Sequence, residues 1–501
     1  MTSQRWYRDP VLWGGLLIGA VFLVMRLGQP TLWQDEAETA MLARNLLRFG
    51  YPRAFDGFNL VWDPQGYGPN YAWIYHPWGS FYLAALSFKL FGVSTLAARW
   101  PFAALGLVAV ALTYLLARQA SGRVAVARWA VVSLLACVPF LLHMRQCRYY
   151  APSAAFGLLW LLAYRRWVTG RAWSLPFLIA SGAILFHMNH GVALPFMAAT
   201  AVDWWIAYRR NTPWPEVLTV ACGIGVLTVP WLWYLESWRH ASASGSWHHL
   251  RQHAEFYVRM TNKYIVPMAG WGLVVGWRRW RRGRWLWNTG EEPLHRDVLR
   301  LGVLVLCVTM AFVLLPEQRH FRYLVPLVPL WLIAQAILLD DWIRYRRWQG
   351  WALAMVILGT TILSGARWQM PLWDFVYELT HDYHGPNEAI ITYLHAQARA
   401  GERVKTPYDE RVLMFYTPLT VERADLFLQP SEPEWIVPRQ AWLPADFWQR
   451  PYGRRIRAAY DAIPLVAVDL VWDNRPDPNE HHFRTVTDGP PVVIYHRRAT
   501  P

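Results

Sequence analysis

The strongest constraint on this chain is a succession of apolar runs separated by short loops rich in Lys and Arg. Many of the runs approach the roughly 17–25 residues that cross a bilayer. One soluble core cannot absorb so many long apolar segments. Spanning segments must be helices, because backbone N–H and C=O groups find no outside partners in hydrocarbon. The 33 Trp and 24 Tyr among 501 residues suit aromatic belts at the two membrane surfaces. A net charge of +15 raises the question of nucleic acid. The basic residues lie in loops between apolar runs, so no nucleic-acid partner is expected.

The candidate spans are Val11–Leu27, Thr95–Ala117, Ala125–Leu142, Pro152–Tyr164, Trp173–Phe186 and Gly191–Tyr208, followed by Val217–Tyr234, Tyr257–Gly276, Leu299–Leu315, Tyr323–Leu339 and Trp351–Leu363. Pro77–Leu90 is apolar but short, and loop charge decides its fate. If it lies along the membrane as an interfacial helix, the loops Arg118–Arg128, Arg165–Arg171, Tyr208–Asn211, Arg278–Arg300 and Arg344–Arg347 share one side with the N-terminus. That is the positive-inside pattern. If it crosses, Arg118–Arg128, Arg165–Arg171 and Trp277–Arg284 fall outside. The expected fold is therefore an all-α polytopic membrane domain of about eleven transmembrane helices plus interfacial helices, followed by a soluble α/β domain. Met1–Asp9 is basic and no small-residue cleavage site follows the first span, so that span reads as a retained helix. The N-terminus is then cytoplasmic and the C-terminus periplasmic or extracellular, at the cell membrane.

The domain boundary falls at 366/367. Residues 1–366 hold the spans. Residues 367–501 turn rich in Asp, Glu, Pro and His, with no long apolar run. Strand-like stretches occur there at Val412–Tyr416, Pro464–Val471 and Pro491–Tyr495, and a helix at Pro386–Ala398 with Gly401 as its stop. Cys137, Cys147, Cys222 and Cys307 are scattered without a CxxC pair, which argues against a disulfide scaffold and a zinc site.

Asp35, Glu36 and Glu38 follow the first span directly, where ionised groups near hydrocarbon are costly and usually kept for a use. Asp35 suits a general base, with Glu36 as its companion acid. The same acids also suit the first turn of a helix Glu36–Phe49. On the same exterior side, His76 opens the interfacial helix. The segment Arg145-Gln-Cys-Arg148-Tyr149-Tyr150 carries arginines where positive-inside bias disfavours them, and Glu317-Gln-Arg319-His-Phe-Arg322-Tyr323 repeats the pattern. Arg binds phosphate oxygens in a bidentate fashion, so these residues are candidates to hold a phosphate-bearing ligand. Bulk anionic lipid is the plainer alternative. Asp63, in Trp-Asp-Pro, reads mainly as a turn residue. His187 with His190, and His240 with His248, His249 and His253, lack the carboxylate partner and spacing of a metal site. No cofactor is certain from the sequence; a divalent metal is left open, without support from the ligand spacing. Walker, dinucleotide, HExxH and GxSxG motifs do not occur.

Asp35-Glu36 after the first span, Ile74-Tyr-His-Pro-Trp-Gly-Ser-Phe-Tyr-Leu83, Phe88-Lys-Leu-Phe-Gly92 and Arg99-Trp-Pro resemble the GT-C membrane glycosyltransferases. The resemblance is to the protein O-mannosyltransferase and lipid A aminoarabinose transferase group, and Arg145–Tyr150 and Arg319–Pro329 follow its pattern. It implies an enzyme that moves a sugar from a polyprenyl-phosphate donor to a glycan, lipid or protein acceptor on the exterior face, with inversion. Under it, Asp35 matches the catalytic acidic position and His76 falls where some relatives place a phosphate-contacting Lys. Arg319 and Arg322 precede a Tyr-x-x-Pro-like helix lining the donor site. Where some relatives carry a second acid, Arg145–Pro152 has none. A transporter or flippase is the rival reading, as is a membrane scaffold. A transporter places ionisable groups near the midplane, whereas here they gather at the exterior mouths.

Overall fold

The computed structural model describes residues 6–171, 173–236, 239, 246–273, 293–364 and 369–499. The chain divides into two compact units. One comprises residues 1–25, 76–79 and 102–376, and the other residues 26–75, 80–101 and 377–501. The expected division at 366/367 follows the end of the apolar runs. The compact units instead group residues 377–501 with the first long loop.

The first unit is helical. Its opening helix, Pro10–Val24, starts on Pro10 behind the Asp9 N-cap, whose carboxylate accepts from the Val11 N–H. It buries Leu12, Gly15, Gly19 and Leu23, which recur every three or four residues, while Trp13, Leu17, Ile18 and Val21 stay exposed. A helix apolar on its exposed face as well as its packed one suits a lipid surround. Trp214–Tyr234 carries this further, burying Val220 and Thr228 and exposing Leu218, Val226, Leu227, Val229 and Trp233.

Helices Val124–Ala136, Tyr150–Val168, Ser174–Met188, His190–Ala207, Pro293–Val313, Val328–Tyr345 and Arg347–Gly359 complete the bundle. Small residues let neighbours close up. A Cβ on Gly182 falls 2.6 Å from the Trp160 ring. Buried polar groups near the ends of three of these helices form one network. The Tyr164 hydroxyl donates to Asp203 at 2.7 Å, Arg300 pairs with Asp203 at 2.7 Å, and Arg165 donates to the Tyr208 hydroxyl at 2.6 Å.

Helices stand at most of the expected spans, with differences that matter. Among the described residues, Thr95–Ser121, Trp214–Tyr234 and Phe321–Tyr345 are each long and apolar enough to cross a membrane alone. Val124–Ala136 and Val138–Met144 qualify together but bend by 72°. Pro139 supplies no N–H for the helical ladder at that break, and Cys137 leaves the helical region with ψ 89°. Phe321–Leu327 is a 3₁₀ segment around Pro326 that runs into Val328–Tyr345. The expected span Tyr257–Gly276 is corrected. The helix there is Trp247–Tyr264, polar along one face, and it stops ahead of Pro267. Residues 274–276, the basic stretch Trp277–Arg284, His240 and Arg367 lie outside the described residues. Pro77–Leu90 becomes the short apolar helix Gly79–Phe91.

The second unit is built on a five-stranded mixed sheet in the order β2-β1-β3-β5-β4. The strands are β1 Arg403–Lys405, β2 Thr420–Glu422, β3 Trp435–Ile436, β4 Tyr460–Val468 and β5 Pro491–Arg497. β1 runs parallel to β2 and β3, and β5 is antiparallel to β3 and β4. Phe427, Ile436, Phe447, Tyr452, Ile456 and Tyr460 form its core. The helix Pro386–Gln397 matches expectation, and β4 and β5 match the last two expected strands with small shifts. Val412–Tyr416 is a correction. It lies in the helix Glu410–Tyr416, with Val412, Leu413, Met414 and Phe415 all buried. A short run buried on every side has no period that separates strand from helix.

Gly79, at the start of its helix, packs tightly against the end of the helix Ser174–Met188. A Cβ there meets the His187 carbonyl oxygen at 2.5 Å, and backbone cannot rotate away. Gly79→Ala is expected to cost about 1–3 kcal/mol by overpacking, read as a lower midpoint in thermal unfolding of the detergent-solubilised protein.

Candidate active site

The acidic residues lie in the second unit, on the first turns of the helix Gln34–Phe49. Glu36 and Glu38 are buried there and Asp35 is half-buried. Glu36 reaches back to the Trp33 N–H and is gripped by Arg99, whose Nε donates to Oε1 at 2.8 Å and whose Nη2 donates to Oε2 at 2.6 Å. The same guanidinium donates to the carbonyls of Leu27, Pro30 and Thr31. Glu38 pairs with Arg411, which also donates to the Trp62 carbonyl at 3.0 Å. Glu36, expected beside Asp35 as a catalytic acid, thus has both oxygens committed to a buried arginine. Asp35 keeps solvent access on a turn that these ion pairs immobilise. Asp63 is a turn residue, accepting from the Gln65 N–H.

The basic residues lie in the first unit. Arg148 is buried at 5% exposure, and its Nη2 lies 3.1 Å from the His76 Nε2. The Arg148 guanidinium lies over the Tyr149 ring, and His76 and Tyr149 are also ring neighbours. The structure therefore brings together His76, Arg148 and Tyr149. Arg145 turns elsewhere, donating to the Phe22 carbonyl at 2.6 Å and lying over Phe375. Phe321 packs on His143, and His143 on Tyr150, so the segment bearing Arg319, Arg322 and Tyr323 adjoins the Arg145–Tyr150 segment. Arg319 is exposed and lies over Phe256, while Arg322 and Tyr323 are half-buried and adjacent.

His187 bonds the Leu227 carbonyl at 3.0 Å, and the His249 and His253 rings lie 3.8 Å apart. Among the described residues, no group of His, Cys, Asp or Glu is placed to hold a metal ion. Sequence reasoning missed the roles of Arg99 and Arg411, because nothing in spacing pairs residues so far apart. It also missed the buried Arg439. Arg439 pairs with Asp409 at 2.5 Å and Asp469 at 2.9 Å, beside Asp473. Asp473 accepts from the Tyr383 hydroxyl at 2.7 Å and the Asn387 N–H at 3.0 Å. Burial and the neighbouring Glu388 push the Asp473 carboxyl up to about 8. Burial likewise raises Asp409 to about 6, against the opposing pull of Arg439.

No family model matches this sequence, and no curated protein matches it either. The chain nevertheless shares its overall fold with solved structures. The crystal structure of ArnT from Cupriavidus metallidurans bound to undecaprenyl phosphate is similar over 97% of each chain, at 14% identity and TM-score 0.58. The apo form of that protein is similar over 97% of each chain, at 13% identity and TM-score 0.56. The archaeal oligosaccharyltransferase AglB from Archaeoglobus fulgidus, in complex with an inhibitory peptide and a dolichol-phosphate, gives 12% identity and TM-score 0.47 over 87% of this chain and 70% of that one.

Two outcomes follow from this geometry. Glu36→Gln leaves Arg99 charged and buried without its counter-charge, and is expected to cost about 3–5 kcal/mol in unfolding free energy. Thermal or denaturant unfolding in detergent measures it. Asp473 holds its proton in the folded chain up to about pH 8, while the unfolded chain releases it near an ordinary carboxyl value. The contribution of Asp473 to stability is therefore greatest in acid, falls as pH rises from about 4 to about 8 and levels off above. Asp473→Asn is expected to flatten that decline when unfolding midpoints are measured across the range.

Proposed function

We propose that this chain is an integral membrane glycosyltransferase that moves a sugar from a polyprenyl-phosphate-linked donor to an acceptor on the exterior face, with inversion. The observation that carries the proposal is the approach of buried Arg148 to half-buried His76, two basic residues from distant segments held 3.1 Å apart. The Arg148 guanidinium donates to the His76 Nε2, and an arginine so oriented suits the oxygens of a phosphate group. Full-length likeness in fold to a protein crystallised with undecaprenyl phosphate supports the same ligand class.

In this reading the donor phosphate is held by His76, Arg148 and Tyr149, with Arg319, Arg322 and Tyr323 adjoining them, while Arg145 serves the packing around Phe22 and Phe375. Asp35 takes the proton from the acceptor hydroxyl. The acceptor oxygen bonds to the anomeric carbon as the bond from that carbon to the phosphate oxygen breaks on the opposite face. The electron pair leaves with polyprenyl phosphate, whose developing charge the basic residues stabilise. No nucleotide is needed, because the leaving group is already activated. Glu36 and Glu38 position the turn. The topology that goes with it is eleven spans, a cytoplasmic N-terminus, and residues 367–501 as a periplasmic or extracellular domain at the cell membrane.

The test incubates purified protein in detergent with a panel of radiolabelled polyprenyl-phosphate sugars and a crude membrane or cell-wall extract. Free polyprenyl phosphate is expected from one donor. Asp35→Asn is expected to slow its release about 10²–10⁴-fold, the range for loss of a general base. Absence of both release and donor binding would overturn the proposal and bring the transporter reading forward.

A further inference from the structure

Within the second unit, Tyr408, Trp442 and Trp472 form a compact aromatic cluster outside the unit's hydrophobic core. The Tyr408 and Trp442 rings stack with centroids 4.2 Å apart and planes 9° from parallel. Trp472 stands edge-on to both, at 4.9 Å from Trp442 and 5.4 Å from Tyr408. All three are half-buried.

Each aromatic comes from a different loop, after β1, β3 and β4 respectively. Each loop contains a non-glycine residue in the left-handed region: Asp409 at φ 63°, Arg439 at φ 49° and Asn474 at φ 53°. Such conformations persist only where the surroundings over-determine them. Here the surroundings are the buried guanidinium of Arg439. It donates to Asp409 in the first loop, and to Asp469 and the Leu470 carbonyl in the third. The Trp442 indole N–H donates to the Val471 carbonyl at 3.1 Å, and the Gln440 N–H to Asp469 at 2.6 Å. One buried cation thus rigidifies three loops whose aromatic side chains keep solvent access. Core packing alone gives no reason for this arrangement.

The loop carrying Tyr408 is docked on the turn that carries Asp35. The Arg411 N–H donates to the Gln34 side chain at 3.3 Å, and the Arg411 guanidinium pairs with Glu38. Burial, Asp409 and the Asp35 carboxylate together hold the Tyr408 hydroxyl well above the usual phenol range, so Asp35 lies within electrostatic reach of it.

We propose that Tyr408, Trp442 and Trp472 form a carbohydrate-binding platform for the acceptor, beside Asp35. The inference rests on the glycosyl-transfer reading above and names the acceptor class as a sugar chain. The face of a pyranose presents C–H groups with partial positive charge, which complement the negative face of an aromatic ring. Its hydroxyls need polar partners at the platform's edge, and Gln34 and Asp35 supply them. A cationic ligand is disfavoured. Arg475 already lies over Trp472 at 4.3 Å, held by Asp477 at 2.6 Å and Glu480 at 3.1 Å.

Saturation-transfer NMR on the full chain in detergent tests this. The probes are methyl α-mannopyranoside, N-acetylglucosamine and cellotetraose, with a Gly-Ser peptide as control. At least one saccharide is expected to receive saturation on the C–H protons of one ring face. Its dissociation constant is expected to rise about tenfold or more in Trp442→Ala and Trp472→Ala, with Trp442→Phe intermediate. Saturation of no saccharide, equal affinity in the Trp variants, or binding of the peptide alone would overturn the proposal. If the alanine variants do not fold, the wild-type pattern decides, since saturation spread evenly over both ring faces also overturns it. Binding is read without donor and without turnover. Failure of the platform is therefore distinguishable from failure of the glycosyl-transfer reading, which polyprenyl phosphate release decides.

Discussion

The ion pair between Arg99 and Glu36 is the interaction on which the candidate acid depends. Glu36 is fully buried and Arg99 nearly so, and both carboxylate oxygens are engaged. Desolvating two such charges costs several kcal/mol each, of order what their attraction returns. The pair therefore adds little net stability, and its consequence is positional. The remaining donors of Arg99 go to the carbonyls of residues 27, 30 and 31, a stretch without regular structure whose backbone groups would otherwise need water. A planar guanidinium with five donors in fixed directions suits that task, and a lysine does not. Because Glu36 is also bonded to the Trp33 N–H, the start of the helix and the approach to it are fixed together. Asp35 lies inside this frame.

Broken helices do comparable work in the first unit. The bend at Cys137 and the 3₁₀ segment around Pro326 flank the two basic segments, Arg145–Tyr150 and Arg319–Tyr323. Within a bilayer, non-helical backbone is tolerated only where protein covers it or a cavity hydrates it. Here aromatic rings supply part of the cover. Phe321 lies against His143 and Tyr264, and Tyr150 against His143. An unbroken helix through Pro139 would spread its side chains around a cylinder. The break instead delivers Arg148 from a turn, where it reaches His76.

Local chemistry explains which parts of this were legible in the sequence. Apolar runs marked most of the long helices of the first unit, because apolar side chains on every face leave a helix few alternatives. One exception, Tyr257–Gly276, failed because its hydropathy was read through Pro267. The proline is itself a stop signal, and the helix before it carries a polar face. Pairings were not legible. Glu36 reads as a first-turn acid whether or not Arg99 meets it, and 63 residues separate them. Val412–Tyr416 reads as a strand because its apolar residues are consecutive. Only the left-handed turn at Asp409, itself held by Arg439, starts a helix there. His76, Arg148 and Tyr149 were each visible as misplaced polar residues beside apolar runs. Their convergence was visible only in three dimensions.

The second unit uses one device repeatedly. Arg99, Arg411 and Arg439 each bond carboxylates and backbone carbonyls from segments far apart in sequence. A β-sheet with strands as short as two or three residues has few ladder bonds with which to hold its connections. Apolar packing could hold them, but it is non-directional and tolerates small displacements of a loop. A guanidinium fork fixes distance and direction, and losing any partner strands a buried charge, so the loops it joins move together or not at all. That cooperativity matters most where a proton must be taken at a defined position, since a displacement of about 1 Å can cost on the order of 10²-fold in rate. Arg411 bonds Gln34 and Glu38 on either side of Asp35, and Arg439 holds Asp409 two residues before Arg411. The carboxylate and the loops behind it are thus set by one connected chain of buried ion pairs.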